Sequence, residues 1–341
     1  MNSKERLYAR LAGKPVDKIP NLNIYMHIVA REAGVSYREF VQNYRKLAEG
    51  NLICAEKYGA DHVGVISDPM REASAYGTEV VFPENGVPYA KQPLITGDFD
   101  LSVLQRFDPL ESTQTLDRIK GCELLRQKVG QDYPVIGWIE GCIAEAADLR
   151  GLSELLEDLA MEETYLAEMF EVLHEQQKRF AKAQIDAGAD IIGVGNAAAS
   201  LIGPGLYKKY GMSWDKAIVD YIHSCGAKVK LHICGNITPL LELLREVGPD
   251  ILDIDWMVDF ARAVKEFDGS KTAVSGNVNP VAVLMQGTSE CVESQIKYCL
   301  EVGSATTCIA AGCEVPVAAP DENLFLMDRL LYTDPSRLYS A

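Results

Sequence analysis

Short apolar runs recur along this chain, each separated from the next by a helix-length stretch with 3.6-residue apolar spacing and a short Gly- or Asp-containing loop. This alternation limits the possible folds more than any other feature of the sequence. The runs are Ile19–Tyr25, His62–Ser67, Val135–Glu140, Asp190–Gly195, Lys228–Ile233, Ile251–Asp255, Thr272–Ser275 and Thr306–Ala310. They are nearly continuous in apolar residues, as expected of parallel strands covered on both faces. Eight such units predict an α/β fold, a (β/α)8 TIM barrel, rather than an open doubly wound sheet. One barrel domain over residues 1–341 is expected, opened by a helix over 3–13 that Ser3 caps and Gly13 ends. The rhythm breaks at an inserted segment, at about 69–133. There Glu79–Pro83 and Val87–Tyr89 flank Glu84-Asn85-Gly86 and predict a β-hairpin after strand two.

In such barrels the reacting groups sit at the C-terminal ends of the strands. Those ends carry Asp68, Glu140, Asn196, His232 with Cys234, Asp255, Asn277 and Cys313. His232 and Cys234 are two residues apart in an extended run, so both side chains point the same way. Cys313 follows the last apolar run and sits after a glycine. One imidazole and two thiolates suit Zn2+, and three protein ligands with an open fourth position form the catalytic arrangement. Cys142 and Cys308 lie near enough to the same rim to be alternative thiolates. Glu140 is expected to position or protonate a substrate, or else to bond to the loop that follows it. Asp68, Asn196, Ser200 and Asn277 are expected to line the pocket, with Asn277 alternatively stabilising the turn to Pro280.

Charge and cysteine usage narrow the function classes. A net charge of −16 argues against nucleic acid as a partner. No apolar run reaches membrane-spanning length, and Met1-Asn2-Ser3-Lys4-Glu5 lacks a signal-peptide core, so a cytoplasmic protein is expected. Nine cysteines without small-scaffold spacing fit a reducing compartment. Cys54, Cys122, Cys225, Cys291 and Cys299 fall on predicted helices and read as core packing. His27 and His62 read as structural, and His174 and His223 as surface residues of helices.

At these residues the chain resembles the uroporphyrinogen decarboxylase superfamily, in its branch of zinc-dependent, corrinoid-linked methyltransferases. The resemblance is carried by Gly13-Lys14-Pro15-Val16-Asp17-Lys18-Ile19-Pro20, Gly137-Trp138-Ile139-Glu140-Gly141, Leu231-His232-Ile233-Cys234-Gly235-Asn236, Ser275-Gly276-Asn277-Val278-Asn279-Pro280 and Gly312-Cys313. It implies zinc on His232, Cys234 and Cys313. It also implies methyl transfer between a corrinoid (cobalamin) on a partner protein and a small substrate. That substrate is either a thiol such as coenzyme M or a methoxylated compound. The chain has no Asp-x-His-x-x-Gly segment with which to hold a corrinoid itself. A more distant similarity, to the zinc domain of cobalamin-independent methionine synthase, implies Asp255 as a fourth ligand; its other reading is a solvated or capping carboxylate. The basic segment that decarboxylases carry after strand one is replaced here by Tyr25-Met26-His27-Ile28-Val29-Ala30-Arg31-Glu32, which argues against a tetrapyrrole decarboxylase. A zinc-bearing accessory subunit without catalysis is the other alternative.

Overall fold

The computed structural model describes residues 1–97 and 99–333. Its assigned strands are β1 (Val63–Gly64), β2 (Val80–Val81), β3 (Tyr89–Ala90), β4 (Val135–Glu140), β5 (Ile191–Gly195), β6 (Lys228–Ile233), β7 (Ile251–Ile254) and β8 (Ala273–Ser275). β1, β4, β5, β6, β7 and β8 form one parallel sheet in that order. Two further segments close it into a barrel. Ser275 bridges Cys308 and Asn21 bridges Ile309, both in parallel. Leu22 N donates to Ile309 O at 3.0 Å, and Asp61 N donates to Asn21 O at 2.8 Å on the other side. The first and last runs therefore serve as the remaining staves, although each is paired only through isolated bridges.

The strands run through apolar surroundings on both sides because helices cover the outside and side chains fill the inside. Leu22, Ile24, Ile136, Trp138, Ile191, Ile251, Cys308 and Ala310 form the interior cluster, and Leu7 closes it from below. Leu7 belongs to the first helix, Ser3–Leu11. That helix is capped by Asn2, not by Ser3: the Asn2 side chain accepts from Glu5 N, and Glu5 reaches back to Asn2 N. Ser3 instead donates to Asp61 at 3.0 Å, so the capping box moves the helix start by one residue. The expected hairpin is present, with Val80 opposite Ala90 and Val81 opposite Tyr89. Among the described residues no helix is long and apolar enough to cross a membrane.

Two surface assignments are corrected. His174 is 8 % exposed, because its face of the Tyr165–Asp186 helix packs against Trp214, with ring centroids 5.4 Å apart. Cys291 is exposed rather than packed, since it occupies the first turn of the Ser289–Val302 helix on its solvent side. His223 is 40 % exposed, as expected.

Candidate metal centre

β6 carries a polar stripe on its inward face. Lys230 and His232 lie two positions apart on it and Cys234 two further on, just past its end, so all three side chains point into the barrel. His232 lies opposite Asp253 of β7 in the parallel register. Its Nδ1 is 2.9 Å from Asp253 Oδ2, and Lys230 Nζ approaches the same oxygen at 3.2 Å. Asp253 is 1 % exposed. Burial opposes its ionisation, but Lys230 and His232 hold the carboxyl below its usual range. The imidazole is thus turned so that Nε2 faces up toward the rim.

At the rim, Nε2 lies 3.1 Å from Cys234 Sγ, and Cys234 Sγ lies 3.8 Å from Cys313 Sγ. Among the described residues, His232, Cys234 and Cys313 alone form a group whose ligand atoms all lie within 4.8 Å of one another. Tetrahedral zinc with bonds of about 2.3 Å to sulfur requires a sulfur–sulfur separation of about 3.8 Å. The donor set therefore fits zinc in type and in spacing, with the imidazole needing to open by a few tenths of an ångström. Gly312 makes the approach of Cys313 possible: a Cβ there would stand 2.1 Å from Trp256 N, so only glycine lets the last loop lie this close to the loop after β7.

The thiols are not equivalent. A hydrogen bond from Cys313, helped by the His232 charge, pushes Cys234 down to about 4, a thiolate at neutral pH. The same bond, with burial, raises Cys313. Burial opposes protonation of His232, but the Cys234 thiolate and Asp253 raise it well above its ordinary value. Metal uptake here has to displace those protons.

Asp255 stands beside this group with both oxygens engaged: Oδ2 accepts from Gly235 N at 2.9 Å and Oδ1 from Met257 N at 3.0 Å. It ties together the loops that follow β6 and β7. Glu140 and Asp68 line the cleft above the metal group, with Trp138, Ile24, Met26 and Ile66 among its apolar walls. Trp138 fits because Gly193 leaves it room, since a Cβ there would fall 2.1 Å from the indole. Asn196 reaches the cleft edge but is held by Asp215 at 2.9 Å and Ala144 N at 3.1 Å. Ser200 donates to Ala197 O and Asn277 to Val258 O, and neither lines this cleft. Cys142 is buried and bonded to Gln177 at 3.2 Å, and Cys308 is 0 % exposed inside the barrel, so neither joins the metal group.

A buried ionic cluster behind Glu140 was not foreseen. Arg71, 1 % exposed, donates to Glu140 Oε1 at 2.8 Å and lies 3.6 Å from Glu72 and 3.9 Å from Asp68. Burial pushes Glu140 up to about 7; Arg71 opposes the shift and Glu72 adds to it. Glu145 and Asp148 lie next to this group, and burial raises both well above the carboxylate range.

The uroporphyrinogen decarboxylase (URO-D) family profile matches residues 2–330. Methylcobamide:CoM methyltransferase MtbA of Methanosarcina mazei is 28% identical over 94% of this chain and 95% of its own length. Methylcobamide:CoM methyltransferase MtaA of Methanosarcina barkeri is 25% identical over the same shares. A solved structure described as a methyltransferase from Methanosarcina mazei superposes with a TM-score of 0.86 at 24% identity, covering 96% of this chain and 97% of that one.

Proposed function

The chain belongs to the uroporphyrinogen decarboxylase family, and from that premise we propose that it is a zinc-dependent methyltransferase working with a corrinoid held by a partner protein. The small substrate is either a thiol that accepts the methyl group or a methoxylated compound that gives it. The observation that carries this reading is the His232, Cys234 and Cys313 group at the catalytic rim of the barrel. It is supported by full-length similarity to two methylcobamide:CoM methyltransferases.

In this reading Nε2 of His232 and the two sulfurs hold zinc, which supplies Lewis acidity to a substrate sulfur or oxygen. Asp253, itself held by Lys230, places its charge 2.9 Å from Nδ1 and so orients the imidazole from below. Trp138, Ile24, Met26 and Ile66 keep water away from the reacting heteroatom. Glu140 takes the proton that a thiol loses, or returns one to a leaving oxygen. Its Oε1 is fixed by Arg71, its Oε2 faces Gly195, and a group poised at about 7 exchanges protons readily near neutrality. Trp256 and Met257, about half exposed at the same rim, offer apolar surface to a docking partner.

The direct test is methyl transfer from free methylcobalamin to a thiol, followed by the loss of the methyl–cobalt absorption. Zinc-loaded protein is expected to turn over, and chelator-stripped protein to recover activity only when zinc is returned. Turnover that is indifferent to chelation and zinc would sink the metal mechanism. No turnover in either state, for both thiol and methoxy substrates, would favour a zinc-bearing accessory subunit.

Asp253→Asn tests the positioning of His232. The amide keeps the shape but loses the charge that faces Nδ1, so zinc affinity is expected to weaken by about 10–100-fold. Competition against a chromophoric chelator measures it. Unchanged affinity would mean that Asp253 serves only as the partner of Lys230.

A further inference from the structure

Apart from the imidazole of His232, the ionisable side chains of known sign that line the cleft are carboxylates. Its lining includes the carboxylates of Asp68, Glu140 and Glu314 and, among the described residues, no Lys or Arg. The cations closest to it lie behind or below the lining, and Arg71 there keeps Nε and Nη1 without a hydrogen-bond partner. Arg71 faces Glu140, Glu72 and Asp68 from behind the cleft wall. Lys230 lies below the imidazole against Asp253. His27 Nδ1 sits 2.9 Å from Glu314 Oε1, and the backbone N of His27 donates to the same oxygen at 2.8 Å.

Two further buried carboxyls stand deeper in the wall. Glu72, at 4 % exposure, and Glu145, at 2 %, stand behind Glu140. Glu72 Oε2 and both oxygens of Glu145 are buried without a hydrogen-bond partner. An anionic substituent in this cleft would lie beside Asp68, Glu140 and Glu314, with no Lys or Arg in the lining to receive it. A neutral substituent meets no such penalty, and a cationic one meets its complement.

Building on the methyltransferase reading, we propose that the small substrate of this cleft is neutral or cationic next to its reacting heteroatom, and that sulfonates and carboxylates are selected against. Specificity then comes from the repulsive element, Asp68, Glu140 and Glu314, as much as from any attraction.

Three thiols of equal length separate the cases: 2-mercaptoethanol, 2-aminoethanethiol and 2-mercaptoethanesulfonate. Each is titrated into the cobalt(II)-substituted full-length chain, and binding is read from the sulfur-to-cobalt charge-transfer absorption without any turnover. The sulfonate is expected to bind on the order of 10²-fold more weakly than the neutral thiol, and the amine at least as tightly as the neutral thiol. Glu140→Gln is expected to narrow the sulfonate gap by about tenfold, because it removes one charge and leaves Arg71 less matched. Methylcobalamin turnover is measured on the same samples. The expected binding order without methylation of any thiol would refute the methyltransferase reading and leave the charge selection standing. Sulfonate binding equal to or tighter than that of 2-mercaptoethanol would overturn the proposal. So would a chain that takes up no cobalt, together with its premise.

Discussion

Serine in place of Cys234 or Cys313 is expected to empty the metal group and abolish methyl transfer. The wild-type chain should carry about one zinc after dialysis, as a site with three protein ligands does. Each serine variant should retain little. The reason lies in the donors: the sulfurs stand at 3.8 Å, the separation zinc needs, and Cys234 is already a thiolate at neutral pH. A serine hydroxyl stays protonated there and contributes neither the charge nor the soft donor. Because outer-shell groups alone are worth about 10–100-fold, loss of an inner ligand should cost at least the upper end of that range in affinity and in activity. Cys308→Ser is the control. Its thiol is buried in the barrel interior and pushed up to about 12 by burial, so its replacement should leave the zinc content unchanged. Full zinc in both Cys234→Ser and Cys313→Ser, or its loss in Cys308→Ser, would overturn the assignment.

The parts of this arrangement that could be read in the sequence are those governed by period and punctuation. Val135–Glu140 and Lys228–Ile233 were expected as strands and occur with those bounds, because a covered parallel strand has to be apolar throughout. The hairpin around Glu84-Asn85-Gly86 follows from turn chemistry in the same way. The convergence of His232, Cys234 and Cys313 could be anticipated because strand ends meet at one rim, whatever the distance between them in the chain.

The supporting residues were harder to see. Lys230 and Asp253 did carry a signal, since a charge inside a covered strand on the same parity as a candidate ligand has to find a buried partner. The cluster around Arg71 carried none. Its members come from the loop and helix after β1, from the end of β4 and from the helix Cys142–Arg150. Asp68 and Glu140 stand out as strand-end carboxylates, but Arg71, Glu72, Glu145 and Asp148 resemble ordinary helix-surface charges. Only the packing of the Met70–Tyr76 helix against the barrel rim turns them into one buried group. Ser200 and Asn277 are the opposite case. Their sequence positions lie near strand ends, but Ser200 bonds to Ala197 O, Asn277 bonds to Val258 O, and neither lines the cleft.

Arg71→Met is expected to produce the largest loss of stability that any single change in this region can cause. The guanidinium is 1 % exposed and is, among the described residues, the one cation paired with Glu72 and Glu140, which are themselves buried. Methionine fills much of the volume but leaves those carboxyls without a counter-charge. Removing one partner of a buried ion pair costs roughly 3–5 kcal/mol, which for a chain of this size corresponds to a fall in Tm of roughly 4–7 °C. The loss should depend on pH in a definite sense. Burial already raises Glu72, and it raises Glu140 to about 7 from an ordinary value of 4.5. A carboxyl whose folded value is raised favours the folded state below its unfolded value, and that contribution is lost as pH climbs through the folded value. Without Arg71 both groups move higher still. The deficit relative to wild type should therefore be small near pH 5, where Glu140 is protonated in either protein, and greatest near pH 8. Adding Glu140→Gln to Arg71→Met removes one of the stranded charges and should restore part of the lost Tm at pH 8 while changing little at pH 5. Thermal unfolding of the four proteins at the two pH values measures all of this. A deficit independent of pH, or a double variant no more stable than Arg71→Met, would mean that Arg71 acts through packing rather than through its charge.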